Sequence, residues 1–147
     1  MFEKTGAENI IARINNLKPD TSPQWGKMTV DQMFAHCNVP YDMTYSDLYK
    51  KPGMVAKFML KLFVKNSVVG PKPYPKNGRT APDFIIKDQR NFEEEKQQLI
   101  DNINKTQSLG SSHFEGKESH SFGALTSKEW NTMFAKHLDH HLTQFGV

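Results

Sequence analysis

Three of the six histidines of this chain fall within five consecutive residues, His137-Leu138-Asp139-His140-His141. Residues four apart lie on one face of an α-helix, about one turn from each other, so His137 and His141 can face the same point. Two imidazoles on an inward face need polar partners, because burying an unpaired polar group costs a few kcal/mol. A metal ion can be that partner, and the spacing therefore indicates a metal site.

The apolar residues around these histidines indicate which of them point inward. An apolar stripe follows helical spacing through Trp130, Phe134, Leu138, Leu142 and Phe145. At about 100° per residue, His137 and His141 lie within roughly 20° of Trp130 on the helical wheel. His140 lies about 80° from Trp130. We therefore expect His137 and His141 to face the core and His140 to lie at the boundary with solvent.

A third ligand is needed, because a catalytic zinc-type site usually has three protein ligands and one open position. His36 is the best candidate, since it lies within a second helical pattern with Gln32, Val39 and Met43 on its side. Metal sites in helical bundles are built from side chains on facing helices. The alternative is that these are core histidines whose ring nitrogens bond to backbone carbonyls or carboxylates.

The same residues argue against a zinc protease. Such enzymes read His-Glu-x-x-His, and the glutamate acts as general base, whereas Leu138 follows His137 here. Asp139 is predicted on the opposite, solvated side of the helix. Imidazole suits zinc, nickel, copper and iron alike, so the ligand type alone does not identify the ion.

Helix starts are predicted where the sequence reads Ser/Thr-x-x-Glu/Gln, since the two side chains then satisfy free backbone N–H groups. Three pairs have this form: Thr5/Glu8, Thr29/Gln32 and Thr126/Glu129. The first helix is expected to end before Pro19. The second starts near Val30, and Pro40 either ends it or kinks it.

Three further helices follow from apolar spacing. A third stretch is predicted to turn Val55, Phe58, Met59, Leu62 and Phe63 inward. The fourth helix spans roughly residues 91–109 and stops at Gly110, and the last runs from Thr126 to Phe145. Prolines and glycines predict a long loop between Val69 and Phe84, and residues 110–123 form a second. The sequence thus predicts an all-α fold, most simply a four-helix bundle with one short extra helix and long crossover loops.

Length and charge exclude several classes of protein. The 147 residues suit a single domain, 1–147. A net charge of +3 is too small to predict nucleic-acid binding. No apolar run approaches the roughly 20 residues of a membrane span, and the N-terminus lacks the layout of a signal peptide. A single cysteine, Cys37, excludes an internal disulfide. We expect a cytoplasmic protein.

Two segments resemble a known group of proteins. Residues 122–130 (FGALTSKEW) with residues 136–146 (KHLDHHLTQFG), and more weakly residues 29–36 (TVDQMFAH), resemble the DinB/YfiT-like superfamily of metalloenzymes. The likeness covers essentially the whole chain and is greatest to a branch described only as a domain of unknown function. One departure is His120-Ser121, where related sequences tend to read His-Pro.

The resemblance implies a four-helix bundle with one long crossover. It also implies a metal held by one histidine of the second helix and an H-x-x-x-H pair of the last, which here are His36, His137 and His141. Superfamily members of known activity are mostly transferases or isomerases that use low-molecular-weight thiols, and dimers are common among them.

Other residues have a functional and a structural interpretation. Cys37 is interpreted either as a reactive thiol or as a buried side chain that packs in the core. His113 and His120 are additional ligands or solvated loop residues, and Gln32 orients a ligand or caps its helix. Lys57, Lys61 and Lys65 form a stripe that binds an anionic surface or is simply solvated, and solvation is favoured.

The leading hypothesis is a metal-dependent enzyme that holds Zn²⁺ or Ni²⁺ and leaves a position open for water or a substrate thiolate. It would catalyse thiol transfer or hydrolysis on a small molecule, and thiol transfer is preferred only because of the resemblance. The alternative is a non-catalytic bundle, stabilised by a metal or sensing it, that binds a ligand or partner and forms a homodimer. A peripheral membrane protein is the third hypothesis.

Overall fold

A computed structural model describes residues 1–147. Its elements, in chain order, are α1 (Lys4–Asn15), α2 (Val30–Tyr45), α3 (Met54–Phe63), α4 (Lys65–Val69), a 3₁₀ turn (Pro82–Phe84), α5 (Phe92–Phe114), β1 (Glu118–Ser119), β2 (Gly123–Ala124) and α6 (Ser127–Gln144). The two strands form a small antiparallel hairpin. The chain is mostly helical, as the apolar spacing predicted.

The core lies where α1, α2, α5 and α6 pack against one another. The residues predicted to face inward on these helices are largely buried there, among them Ile10, Ile14, Met33, Phe34, Leu99, Ile103, Trp130, Phe134, Leu138 and Leu142. Aromatic rings fill the space between helices, with Tyr41 of α2 stacked on Phe134 of α6 at a centroid distance of 4.6 Å. This packing holds α2 and α6, the two helices that carry the candidate ligands, against each other.

Two of the three predicted helix starts are confirmed. The Thr126 N–H donates to Glu129 Oε2 (2.9 Å), and the Glu129 N–H donates back to Thr126 Oγ1 (3.2 Å). The Thr29 N–H likewise donates to Gln32 Oε1 (3.2 Å). The start at Thr5 is wrong, because α1 already begins at Lys4 with Glu3 as its N-cap.

Tertiary contacts at the N-terminus explain the earlier start of α1. The terminal ammonium of Met1 donates to Asn131 Oδ1 of α6 (2.8 Å). Phe2 stacks on Phe114 with ring centroids 4.9 Å apart. These contacts hold the first residues against the core, so the helix begins directly after them.

Proline and glycine act differently within two of the helices. Helix α2 continues through Pro40 to Tyr45, so that proline does not end it. Gly110 interrupts α5 with φ +70° and ψ 173°, which confirms the predicted stop, but the chain resumes a helical turn as far as Phe114. The second predicted loop therefore contains this turn and the β1–β2 hairpin.

The prediction that α3 faces the core is wrong. None of its residues is buried, and the apolar side chains expected inward are largely exposed: Val55 79%, Phe58 64%, Met59 47%, Leu62 60% and Phe63 67%. Leu60, on the other side of the helix, packs against the core instead. Of the three lysines expected to be solvated, Lys61 is exposed as predicted, but Lys57 and Lys65 form ion pairs with Glu118 (2.9 Å) and Glu129 (2.7 Å).

The chain from Gly70 to residue 91 crosses from α4 to α5 with only the 3₁₀ turn as regular structure, close to the predicted long loop. Lys136 of α6 fixes the start of this crossover. Its Nζ donates to the carbonyl oxygens of Ser67, Gly70 and Lys72 at 2.8, 2.6 and 3.1 Å. The loop is thereby held beside the histidine end of α6. None of the helices has the length and apolar character needed to cross a membrane.

Candidate metal centre

The structure brings His36, His137 and His141 together. One ring nitrogen of each lies within 4.8 Å of the others. His36 and His141 are buried, with 5% and 7% of their surface exposed, and His137 is partly exposed. His137 and His141 come from successive turns of α6, as their spacing predicted, and His36 comes from the middle of α2.

A backbone carbonyl of the crossover orients His36. His36 Nδ1 lies 2.8 Å from the oxygen of Phe84, which can only accept, so Nδ1 carries the proton. Nε2 of the neutral ring is then left with its lone pair, directed toward the cluster. Metal-bound histidines commonly donate their second nitrogen in this way, which fixes the tautomer and the ring orientation.

A two-step relay orients His141. The Gln144 amide nitrogen donates to the carbonyl oxygen of Trp25 (2.7 Å). The amide oxygen therefore faces His141 Nδ1, at 2.8 Å. Because this oxygen can only accept, His141 also carries its proton on Nδ1 and has Nε2 free.

Glycine is required next to this relay. Gly26 has φ +84°, a region that favours glycine, and a Cβ at this position would lie 2.6 Å from Gln144 Nε2. The backbone at Trp25 can approach Gln144 closely because Gly26 has no side chain. The sequence before α2 thus contributes to the orientation of a ligand on α6.

His137 completes the cluster. Its Nε2 lies 2.9 Å from His36 Nε2, and since the latter has no proton, His137 Nε2 donates there when no ion is bound. Phe84 and Tyr74 of the crossover lie edge-on to the His137 ring, with centroids 6.0 and 6.5 Å away. The crossover therefore covers the side of the cluster that the helices leave open.

All three rings are held in their neutral form. Burial lowers the pKa of His36, although the hydrogen bond to Phe84 opposes this effect. Burial lowers the pKa of His137 well below its usual value, and the neighbouring His141 and His36 act in the same direction. Burial lowers the pKa of His141 to about 3, assisted by His36 and opposed by Gln144. Neutral imidazole is the form that coordinates metals.

The separation of the nitrogens suits a transition metal. Zinc binds imidazole nitrogen at about 2.0–2.1 Å, which places tetrahedral ligand atoms roughly 3.3 Å apart. The 2.9 Å between His36 Nε2 and His137 Nε2 is within a few tenths of an ångström of that separation. Because the three ligand nitrogens lie within 4.8 Å of one another, binding an ion would require the rings to rotate so that all three distances approach that separation.

The other histidines lie outside this cluster. His113 is exposed, and its Nε2 lies 3.0 Å from Lys117 Nζ. His120 contacts Ser121 and the carbonyl oxygen of Tyr49. Neither belongs to the group of potential ligands. His140 is partly buried, as predicted for a boundary position.

Two further candidates have structural partners. Gln32 bonds to the Thr29 N–H and donates to the carbonyl oxygen of Asp88 (3.2 Å), so its contacts are those of a capping residue. Cys37 is 1% exposed, its thiol donates to Met33 Sδ (3.7 Å), and burial raises the pKa of the thiol. It has the properties of core packing rather than of a nucleophile.

A cavity lies beside the cluster. It has a volume of about 540 Å³ and is lined by Trp25, Pro71, Pro73, Tyr74, Lys76, Asn131, Thr132, Ala135, Lys136, Asp139, His140 and Thr143. His140 lies on its wall and contacts His141, with ring centroids 5.0 Å apart. Lys76 Nζ lies 4.3 Å from the centroid of the Trp25 ring on the cavity wall. The volume falls within the range of small-molecule sites.

Sequence reasoning missed the groups that orient the ligands. Gln144 follows His141 by three residues, a spacing that places both side chains on one helix face, so a signal for it existed. The Phe84 carbonyl and Trp25 gave no such signal. Each reaches the site through a loop conformation, which has no periodicity.

Comparison with known proteins establishes the family. The chain belongs to DUF1569, a family described as protein of unknown function, which matches residues 2–146. No curated protein and no solved structure matches it at a significant level. The DinB/YfiT-like resemblance therefore stays a prediction.

Proposed function

We propose that His36, His137 and His141 bind one divalent metal ion through their Nε2 atoms, and that the protein is a metal-dependent enzyme acting on a small molecule. Three imidazoles with one open position form a known type of catalytic zinc site, and imidazole also suits Ni²⁺, so we propose Zn²⁺ or Ni²⁺. Three ligands leave at least one coordination position for a substrate.

The observation that carries the proposal is the pair of oriented tautomers. Two independent acceptors, the Phe84 carbonyl and the Gln144 amide oxygen, hold protons on the Nδ1 atoms of His36 and His141. Both Nε2 lone pairs are thereby directed to one point beside His137. Without an ion, the single N–H of His137 Nε2 satisfies only the His36 lone pair, and His141 Nε2 has no hydrogen-bond donor beside its Nδ1 contact with Gln144. A cation at this point would be shared by all three rings.

The chemistry proposed for the site follows from its ligands. A divalent ion held there would act as a Lewis acid and lower the pKa of a coordinated water or thiol toward neutrality. We propose that the cavity beside His140 receives the substrate, because Tyr74 and His140 connect its wall to the cluster. Transfer to or from a low-molecular-weight thiol is the preferred reaction, and it is supported by the DinB/YfiT-like resemblance. The same resemblance supports a four-helix bundle of α1, α2, α5 and α6.

Metal content tests the site. We expect about one ion per chain after reconstitution with Zn²⁺ or Ni²⁺, and loss of that ion in His36→Ala, His137→Ala and His141→Ala. The matched control is His113→Ala, which removes an exposed histidine and should retain the ion. Titration calorimetry would give the stoichiometry and the affinity. A parent protein that binds no more metal than the His141→Ala variant would refute the site.

A non-catalytic, metal-stabilised or metal-sensing protein is the second candidate function, favoured by the absence of any carboxylate from the cluster. Substitution with Co²⁺ would separate the two functions. If a coordination position accepts substrate, adding a small thiol should produce a thiolate-to-cobalt charge-transfer band in the near ultraviolet. Cys37 is buried and should not contribute. An unchanged spectrum at saturating thiol would exclude thiol chemistry at this metal.

A further inference from the structure

Helix α3 carries six of the nine large apolar residues that the fold leaves exposed. We define the α3 face as six side chains with exposed fractions between 47% and 90%: Met54, Val55, Phe58, Met59, Leu62 and Phe63. At roughly 150–200 Å² for a large apolar side chain, they expose on the order of 700 Å². The largest apolar patch of a typical monomer is about 300–600 Å² and is often functional.

Ion pairs hold α3 in this orientation. Lys57 bonds to Glu118 of the hairpin, and Lys65, just after α3, bonds to Glu129 of α6. Leu60 packs inward between them. The polar side of the helix thus contacts the protein and the apolar side faces solvent, the reverse of an ordinary surface helix.

The pairing of the lysines points to a protein partner. A helix that binds an anionic membrane uses its lysines to attract headgroups, but Lys57 and Lys65 are engaged by carboxylates of the same chain, and Lys61 is the one exposed lysine of the stripe without an ion pair. The α3 face itself carries no charged side chain. Its phenylalanines and methionines are residue types enriched at the centres of protein interfaces.

Area and symmetry identify the partner. A stable interface buries about 800 Å² on each partner, close to what the α3 face and its margins expose. In a two-fold dimer the same patch serves both chains, so two uncharged apolar faces complement each other without a second kind of surface.

We propose that two copies of this chain form a homodimer by packing their α3 faces against each other around a two-fold axis. The interface does not involve His36, His137 or His141, so the dimer does not depend on the proposed metal. It covers Phe58 and Leu62, which lie one turn apart in the middle of the face.

The first test is the mass of the full-length protein in solution, measured by light scattering after gel filtration at micromolar concentration. We expect the mass of two chains, both with metal and with chelator. Phe58→Glu combined with Leu62→Glu should raise the dimer dissociation constant by ~30-fold or more, giving one chain with an unchanged circular dichroism spectrum. The control, Asn104→Glu combined with Ser108→Glu, adds the same two charges at the same spacing to exposed positions of α5 and should stay dimeric.

Cross-linking provides a second, independent readout. Phe58→Cys and Leu62→Cys should each be oxidised to a disulfide-linked dimer, whereas Asn104→Cys should not, and buried Cys37 should not react. A monomeric parent at these concentrations overturns the proposal. So does a dimer that survives the double glutamate substitution, or a monomer that sediments with phosphatidylglycerol vesicles through the α3 face.

Discussion

Helices α3 and α6 carry apolar stripes of the same helical spacing, yet they meet the rest of the molecule in opposite ways. Phe134 and Leu138 of α6 are each 1% exposed, whereas Phe58 and Leu62 of α3 are 64% and 60% exposed. Helix α6 packs against α1, α2, α4 and α5. Helix α3 packs mainly on the short helix α4, and flanking lysine pairs direct its apolar side outward.

This difference shows what helical spacing determines. Spacing tells which residues share a face of a helix, but the direction of that face depends on what lies around the helix. For α6, aromatic residues of α2 and α5 surround the stripe. For α3, Glu118, far away in sequence, pairs with Lys57 on the polar side, and Glu129 pairs with Lys65 at the start of α4.

The largest effect expected from this contrast is on stability. Phe134→Ala in α6 removes a ring with 1% exposure and should lower the free energy of unfolding by about 3–5 kcal/mol. Phe58→Ala removes the same ring from α3 and should change it by less than ~0.5 kcal/mol, as for a surface site.

Chemical denaturation of both variants, at protein concentrations where the chain is monomeric, measures this difference. Equal losses of stability in the two variants would mean that Phe58 is also in the core, and the contrast between the helices would fail.

The histidine cluster should make the metal-free protein sensitive to acid. Burial lowers the pKa of His141 to about 3 in the folded state, against about 6.5 in the unfolded chain. Stability present above pH 6.5 should therefore be lost as pH falls toward 3, by about 1.4 kcal/mol per pH unit for this group. The pKa values of His36 and His137 are also lowered in the folded state, so these two residues add further losses of stability as pH falls.

Denaturation at several pH values between 6.5 and 5, above the range where carboxylates titrate, measures the slope of the free energy of unfolding against pH. His141→Gln should reduce this pH dependence by the contribution of one proton, and Asn104→Gln, an exposed substitution that removes no titratable group, should leave it unchanged. A slope that is the same in both variants would mean that His141 is protonated in the folded state, contrary to the neutral cluster.

The orienting relay should control metal affinity more than it controls folding. Gln144→Ala removes the acceptor that holds the proton on His141 Nδ1 and the donor to Trp25. Loss of such a supporting residue typically weakens metal binding 10–100-fold, or about 1.4–2.7 kcal/mol. Calorimetric titration with Zn²⁺ measures the change, and Gln97→Ala, an exposed glutamine of α5, is the matched control. Affinity unchanged in Gln144→Ala would show that the ring orientation does not depend on the relay.

The sequence predicted more of the candidate site than of its surroundings. His137 and His141 share a helix, so their spacing was sufficient, and the burial of neighbouring Trp130 and Leu138 oriented them. His36 could be predicted because it lies on a second helix that has its own apolar side. Phe84 and Trp25 could not be predicted, because each approaches the cluster from a loop whose path depends on contacts such as those of Lys136. The orientation of α3 was mispredicted for a related reason, since its ion-pair partners lie more than 60 residues away.

The smallest expected effect on stability distinguishes two segments with the same Thr-x-x-Glu pattern, Thr5/Glu8 and Thr126/Glu129. Thr126 caps α6, and its side chain accepts from the Glu129 N–H, so Thr126→Ala should lower the free energy of unfolding by about 1 kcal/mol. Thr5 lies inside the first turn of α1 and caps nothing. Alanine is the better helix former there, and Thr5→Ala should raise stability by up to ~0.5 kcal/mol.

The opposite signs make this comparison decisive even though both values are small. Urea denaturation of the two variants beside the parent resolves a difference of about 1 kcal/mol through the shift of the midpoint at constant slope. A loss of stability in Thr5→Ala equal to that in Thr126→Ala would mean that Thr5 is the N-cap after all. The local pattern would then position α1, and the contacts of Met1 and Phe2 with the core would have no part in setting where the helix begins.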